Sequence, residues 1–460
     1  MIGVFGIILS LGLLMHLAYR GVSALILAPV LAVLAAAVSG LPALASLTQV
    51  FMPGMAGFIA AQFPVFILGA ILGKVMEDSG SAKAIARAIA ARLGMNHAIL
   101  SVTLSCAVLT YGGVSAFVVA FAVYPIAAHL FREADIPKRL IPATIALGSF
   151  TFTMTALPGS PQIQNAIPMP YFHTTAWAAP VIGLVAGTIM LVGGMSWLRF
   201  REGKAREKGE GYGAHQGEPV AILPPAGLPR TAVALAPIAI VLLANLILGT
   251  RVWKADAAGY GYLAAAPYST SLGAVRGVWS LVVALGAGIA FVLAANRKRL
   301  PKPLDSLNGG AASSMGPILN TAGMVGYGTV VKTLSAFVVL QGALLAISGN
   351  PLVTSSIATT ALAGITGSAS GGMSIALGAM GETFYRQALA GGIAPEILHR
   401  VVAIACGGLD SLPHNGAIIT LLGITRLSHR QSYADIAMVT IAFPLLALVA
   451  AILLGSLGVA

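Results

Sequence analysis

Long apolar runs separated by short polar segments dominate the chain from its first residues to its last. A helix that crosses a bilayer needs about 20 apolar residues, within a range of about 17 to 25. On that rule the pattern predicts spans at 2-18, 22-39, 57-76, 140-167, 175-198, 231-250, 275-295, 327-347, 400-425 and 434-457. Two further apolar stretches, 98-131 and 354-390, are too long for one span and carry Gly/Ser breaks at their centres, Thr110 to Ser115 and Thr366 to Gly372. Such a break predicts a re-entrant helical hairpin that turns at mid-depth and leaves on the side it entered. Ser79 to Leu93 places Ala, Ile and Leu on one face and Lys83, Arg87 and Arg92 on the other, the pattern of a helix lying along the interface.

A further break, inside the predicted span 400-425, has a counterpart elsewhere in the chain. Within 400-425, Asp410-Ser-Leu-Pro-His-Asn-Gly416 interrupts the apolar run, and Leu157-Pro-Gly-Ser-Pro-Gln-Ile-Gln-Asn165 does the same within 140-167. Leu412-Pro413 lies 255 positions after Leu157-Pro158, and the same offset carries Gly112 onto Gly367 and Ser115 onto Ser370. Hairpin tip and helix break therefore recur in register, as an internal repeat would have them. The predicted organisation is a first repeat at 1-198, a cytoplasmic linker at 199-230 that is rich in charge and includes Pro224-Pro225, and a second repeat at 231-460. Five crossings per repeat is an odd number, so the second repeat enters the membrane from the opposite side. The fold class is an all-α polytopic membrane protein of two inverted repeats, with about ten spans, two re-entrant hairpins and two broken helices, the layout of an elevator-type transporter.

Composition agrees with the pattern: 57% of the 460 residues are hydrophobic, 9% are charged, and the mean hydropathy is +0.90. The net charge of +12 lies in short loops and not along one face, so it reads as topology signal and lipid contact, with no nucleic-acid partner. With the N-terminus outside, 20 of the 26 Lys and Arg residues fall on the cytoplasmic side; Arg251, Lys254, Arg276, Arg386 and Arg400 fall outside. That bias places both termini extracytoplasmically, with 2-18 as a retained first span. Cys106 and Cys406 lie inside predicted spans and read as buried small hydrophobes, giving neither a disulfide framework nor a metal site. Gly69 to Val75 resembles a phosphate loop only loosely, being one residue short and lacking the Ser or Thr after Lys74; with no HExxH, CxxC pair or nucleophile elbow, the chain is not read as an enzyme and needs no cofactor.

Irregular backbone at membrane depth is tolerated where it lines a cavity, and half-helix N-termini there suit an anionic substrate. The candidate substrate-binding residues are Thr110, Gly112, Gly113 and Ser115 at the first tip, Ser160, Gln162 and Asn165 at the first break, Gly367, Ser368, Ser370 and Gly371 at the second tip, and Ser411, His414 and Asn415 at the second break. Hydroxyl and amide groups of this kind suit a hydroxylated carboxylate. Thr151, Thr153 and Thr155 read as packing residues that bond their own helix. Ionisable groups at the bilayer centre cost about 3 kcal/mol on insertion scales and mark proton relays. Asp410 and His414 are therefore the proton-coupling candidates; the alternative for Asp410 is a cap on the half-helix after Pro413. Glu382 and Arg386 are spaced to pair along one helix.

The Thr110-Tyr-Gly-Gly-Val-Ser-Ala-Phe-Val-Val-Ala-Phe hairpin and the two breaks quoted above resemble the gluconate permease (GntP) family over nearly the whole chain. The resemblance implies a symporter of the bacterial inner membrane that takes up a small organic acid, such as gluconate or a short hydroxy acid, with protons. The Ser-Asn-Thr signatures that related sodium-coupled dicarboxylate carriers have at both breaks do not occur here. A sodium-coupled carboxylate symporter is the alternative, followed by an anion channel. Membrane lipid and a second copy, in a homodimer, are the other expected partners.

Overall fold

The computed structural model describes residues 2–20, 22–94, 97–215, 227–254 and 256–460. The charged start of the expected linker is described; its later part, 216–226 with Pro224-Pro225, lies outside the described residues. Among the described residues the fold is all-helical. The first half runs α1 (Ile2–Tyr19), α2 (Ala24–Val38), α3 (Ala43–Ser46), a π-turn at Leu47–Phe51, α4 (Met52–Asp78) and α5 (Ser81–Leu93). It continues through α6 (Ala98–Tyr111), α7 (Ala116–Glu133), α8 (Ile141–Ser149), α9 (Phe152–Thr155), α10 (Ile163–Ala166), α11 (Pro168–Phe172) and α12 (Pro180–Glu207). The second half runs α13 (Thr231–Ile247), α14 (Leu272–Ala295), α15 (Pro303–Thr333), α16 (Ser335–Ile347), α17 (Pro351–Thr366) and α18 (Ala369–Ala390). It ends with α19 (Pro395–Ala405), α20 (Gly416–Thr425), α21 (His429–Ala437) and α22 (Phe443–Ser456).

The order of elements repeats: two helices, a long helix, a short helix after a break, a helix pair closed by a tight turn, an interrupted helix, and a final long helix. Among the described residues five helices are long and apolar enough to cross a membrane, and Pro303–Thr333 with Ser335–Ile347 makes a sixth only as a pair bent by 96°. Leu243, Leu446 and Leu453 on these helices, and Phe5, Ile8, Ile26 and Val30 on the shorter α1 and α2, are each more than half exposed, a surface that suits lipid and not water.

One span expectation is corrected here. Residues 327-347 are not a straight span: α15 begins at Pro303, reaches Thr333, and turns through 96° at Leu334 into α16. By its place in the order, α16 is the counterpart of the amphipathic α5. The predicted span 57-76 likewise belongs to a helix that begins at Ala43 and reaches Asp78. Helices α4 and α15, which hold the same place in the order of elements of the two halves, pack along one another. Contact is close because Gly310 faces the Ile71 backbone, where a Cβ would approach Cα to 2.6 Å. Helices α1 and α2 form a separate core with α15, in which Ser10 Oγ and Tyr327 Oη lie 2.6 Å apart, both fully buried.

The start of the linker is bound to both halves. Arg139, just before α8, donates from Nε to Glu210 Oε1 (2.6 Å) and from Nη2 to Oε2 (2.9 Å), while its Nη1 donates to Asp435 Oδ2 at 2.9 Å. Asp435 also accepts from Trp197 Nε1 (3.1 Å) and pairs with Arg201 (2.7 Å). The Arg139 guanidinium holds the Glu210 carboxyl below the usual glutamate range. A depressed folded value contributes stability above the ordinary pKa of about 4.3 and loses it as pH falls through the folded value. Thermal unfolding in detergent should therefore show Glu210→Gln melting below the parent near neutral pH, with the gap closing in acid. A half-exposed pair of this kind is worth about 1 kcal/mol or less.

Candidate functional site

Each tip is fastened to the break of its own half. At the first, Gly113 takes a φ of +90°, which turns α6 back into α7, and a Cβ there would stand 2.9 Å from Pro161 Cγ. Gln162 Nε2 donates to the Thr110 carbonyl (2.6 Å) and reaches that of Val114 (3.4 Å), and Tyr111 Oη donates to the Pro158 carbonyl at 2.6 Å. Ser160 Oγ accepts from the Gln162 N–H at 3.4 Å. Gly112 packs on Ile238 of α13, and the Ser115 backbone lies near Gly73 of α4. Thr110 Oγ1 is buried with no protein partner. Thr151, Thr153 and Thr155 all donate to carbonyls four or five residues earlier, as expected of packing residues.

At the second tip, Gly367 turns α17 into α18 with a φ of +60°. Ser368 caps α18 by accepting from the Gly371 N–H (3.1 Å), and Ser370 Oγ lies 3.4 Å from Thr321 Oγ1 on α15. His414 seats its ring on this tip: a Cβ on Gly367 would stand 2.7 Å from His414 Cδ2. We expect Gly367→Ala to leave the protein folded, since the αL conformation costs an L-residue about 1 kcal/mol. It should nevertheless cut transport at least as strongly as it cuts stability, because the methyl displaces His414; uptake and melting temperature measured together check this.

The second break holds Asp410, Ser411, His414 and Asn415, all buried. Asn415 is the cap of α20, its Oδ1 accepting from Ala417 N (2.6 Å) and Ile418 N (3.1 Å) while its Nδ2 donates to the Asp410 carbonyl (2.7 Å). The cap alternative for Asp410 is thus filled by Asn415. Ser411 Oγ donates to Asp410 Oδ1 at 3.1 Å, and among the described residues no ion pair engages Asp410.

The first break meets α19, the helix that leads into the second break, through Asn165 and through His399 and Arg400, two residues the sequence reading did not rank. Asn165 Oδ1 accepts from Arg400 Nη1 (3.0 Å) and from His399 Nε2 (3.2 Å), and its Nδ2 donates to the carbonyls of Ser160 (2.8 Å) and Ala176 (2.9 Å). A neutral amide has two N–H donors and two lone pairs, so all of its capacity is filled. Arg400 further donates to the carbonyls of Ala178 (2.8 and 3.0 Å) and Ala176 (3.1 Å). Arg400, expected among the loop charges on the outer side, is fully buried within a helix. The reason is the helix start. α19 begins at Pro395, which carries Arg400 more than a turn inside the protein. Thr174 Oγ1 completes this cluster, 2.6 Å from His399 Nδ1. Glu382 and Arg386 pair at 2.6 Å as an exposed contact, and Cys106 and Cys406 are buried and unbonded to each other. No group of three or more metal-ligating side chains occurs among the described residues.

Two interrupted helices, each docked on the turn of a helix pair, with a buried polar cluster joining them, define a membrane transporter. The chain belongs to the GntP permease family, whose model matches residues 1–410. It is 44% identical over 449 residues to the transporter YxjC of Bacillus subtilis (strain 168), covering 95% of both chains. A segment of 126 residues is 32% identical to the high-affinity gluconate transporter of Escherichia coli (strain K12), over 27% of this chain and 28% of that one. The fold is similar to that of the YdaH transporter of Alcanivorax borkumensis, with a TM-score of 0.58 and 17% identity over 90% of this chain and 88% of that one.

Proposed function

We propose that the protein imports a small hydroxylated carboxylate, of the gluconate type, by proton symport across the bacterial inner membrane. The observation that carries the coupling is Asp410: a buried carboxylate in unwound backbone, held by a neighbouring hydroxyl and, among the described residues, engaged in no ion pair. A carboxylate at membrane depth without a fixed cation can neutralise itself by taking up a proton, which is what a proton relay requires. The substrate reading rests on family membership, on the gluconate transporter among the relatives, and on the N-terminal ends of α18 and α20 at the second tip and break.

In this reading the two halves are inverted repeats, and the hairpins at 98–133 and 351–390 move with the interrupted helices as one unit against the remaining spans. Thr110, Gly112, Gly113, Ser115, Ser160, Gln162, Gly367, Ser368, Ser370, Gly371, Ser411, His414 and Asn415 surround the acid. Asn165 positions the first break. The transporter works as a homodimer with both termini extracytoplasmic. Purified protein in liposomes should take up radiolabelled gluconate faster under an inward proton gradient. Uptake that ignores the pH gradient and follows an imposed sodium gradient would replace the proton by sodium.

A further inference from the structure

A cavity of about 310 Å³ lies away from both tips, at the lower end of the range of about 300 to 1,000 Å³ common for small-molecule sites. One wall comes from Trp177, between α11 and α12, and from Glu396 in the first turn of α19; the other comes from Thr250, Lys254, Asp256 and Arg276. In the proposed architecture the first wall moves and the second belongs to the scaffold, and the cavity is on the extracytoplasmic side. Its four charged groups are brought together, yet among the described residues none of them forms an ion pair. Arg276 spends Nη2 on the His173 carbonyl (3.2 Å) and keeps a shielded Nε–H with no acceptor. Trp177 Nε1 is likewise shielded and unpartnered. The indole stands directly on the first break, because a Cβ on Gly159 would come within 2.7 Å of Trp177 Cη2. The cavity is thus one side chain away from the Leu157 to Ser160 backbone.

We propose that this cavity is a second binding site, at which a polyhydroxylated monocarboxylate docks before passing Trp177 to the break. The proposal rests on the reading of the protein as a carboxylate transporter. Two cations supply charge-assisted bonds to the carboxylate of the ligand. Asp256 and Glu396 accept hydrogen bonds and offer none, so they are satisfied by the hydroxyls of a polyol chain. An acid without hydroxyls gives the half-buried Glu396 and the exposed Asp256 no donor, and a dicarboxylate sets a second negative charge against them. The mixed lining therefore selects for hydroxylated monocarboxylates and not for anions in general.

Equilibrium dialysis of the full-length protein against radiolabelled gluconate tests the proposal. The parent is expected to bind in two classes of site, and Arg276→Gln or Lys254→Gln loses one class and keeps the other. In proteoliposomes each substitution should raise KM about tenfold at unchanged maximal rate, the effect of removing one charge-assisted bond. Lys254→Gln guards against misfolding, since Arg276 also holds the His173 carbonyl. Neither hexanoate nor glucarate should displace gluconate from the class that these variants lose. A single class in the parent, unchanged in Lys254→Gln, overturns the outer site and leaves transport standing. Failure of the parent to bind or take up any hydroxy acid overturns the transport reading and the outer site with it.

Discussion

Asp410→Asn is expected to abolish gradient-driven accumulation of the acid while leaving exchange of substrate across the membrane largely intact. The substitution keeps the shape of the side chain and an oxygen for the Ser411 hydroxyl, which donates to Oδ1 at 3.1 Å. It removes the ability to take up and release a proton. The start of α20 does not depend on Asp410, because Asn415 supplies the cap, so the break should keep its backbone. One proton coupled to one substrate under a one-unit pH gradient sustains about a tenfold concentration ratio. Parent proteoliposomes should approach that ratio, and the variant should stop at equal concentrations. Counterflow, in which labelled acid enters against trapped unlabelled acid without a gradient, should remain measurable. If the variant accumulates substrate as the parent does, Asp410 is a structural residue and coupling must be sought elsewhere.

Much of this site was legible in the sequence because breaks in apolar runs are conspicuous. The 255-residue offset paired Gly112 with Gly367 and Leu157-Pro158 with Leu412-Pro413, and in the structure these positions are turns and unwound segments of matching order. Helix α15 was only half legible, for a physical reason. Its first two turns and middle are rich in Gly, Ser and Asn, which lowers the hydropathy, but several of these residues face protein: Gly309 and Gly310 lie against α4, Gly323 against α2 and Gly328 against α18. A helix covered by protein need not be as apolar as one covered by hydrocarbon. Arg400 was read as a loop charge because hydropathy gives the apolar part of a span and not the helix that contains it. Pro395 and Glu396 carried the missing signal, being a proline and an acid at a helix start. The roles of Asn165 and His399 depend on contacts more than 200 residues away in sequence, which no local pattern contains.

That long-range cluster should be the most sensitive structural point of the molecule. Asn165→Leu is expected to destabilise the protein by about 3 to 5 kcal/mol, the range for removing the partner of a buried charge. Leucine has as many side-chain heavy atoms as asparagine, but it leaves Arg400 Nη1 and His399 Nε2 without an acceptor and orphans the Ser160 carbonyl, while the Ala176 carbonyl keeps the Gly159 N–H and Arg400 Nη2. Arg400→Met should cost less than Asn165→Leu. It also strands the Ala178 carbonyl, but it removes the buried charge together with its desolvation penalty. The double variant should then be more stable than the sum of the single losses predicts, with a coupling of about 1 to 3 kcal/mol. Melting temperatures of the four proteins in one detergent complete the cycle, with size-exclusion profiles to confirm folding. Additive losses would mean that Asn165 and Arg400 act independently, and that the two breaks are held together by packing such as that of Gly407 on Thr155. A strong coupling would identify this amide and guanidinium as the joint that fastens the first break to α19.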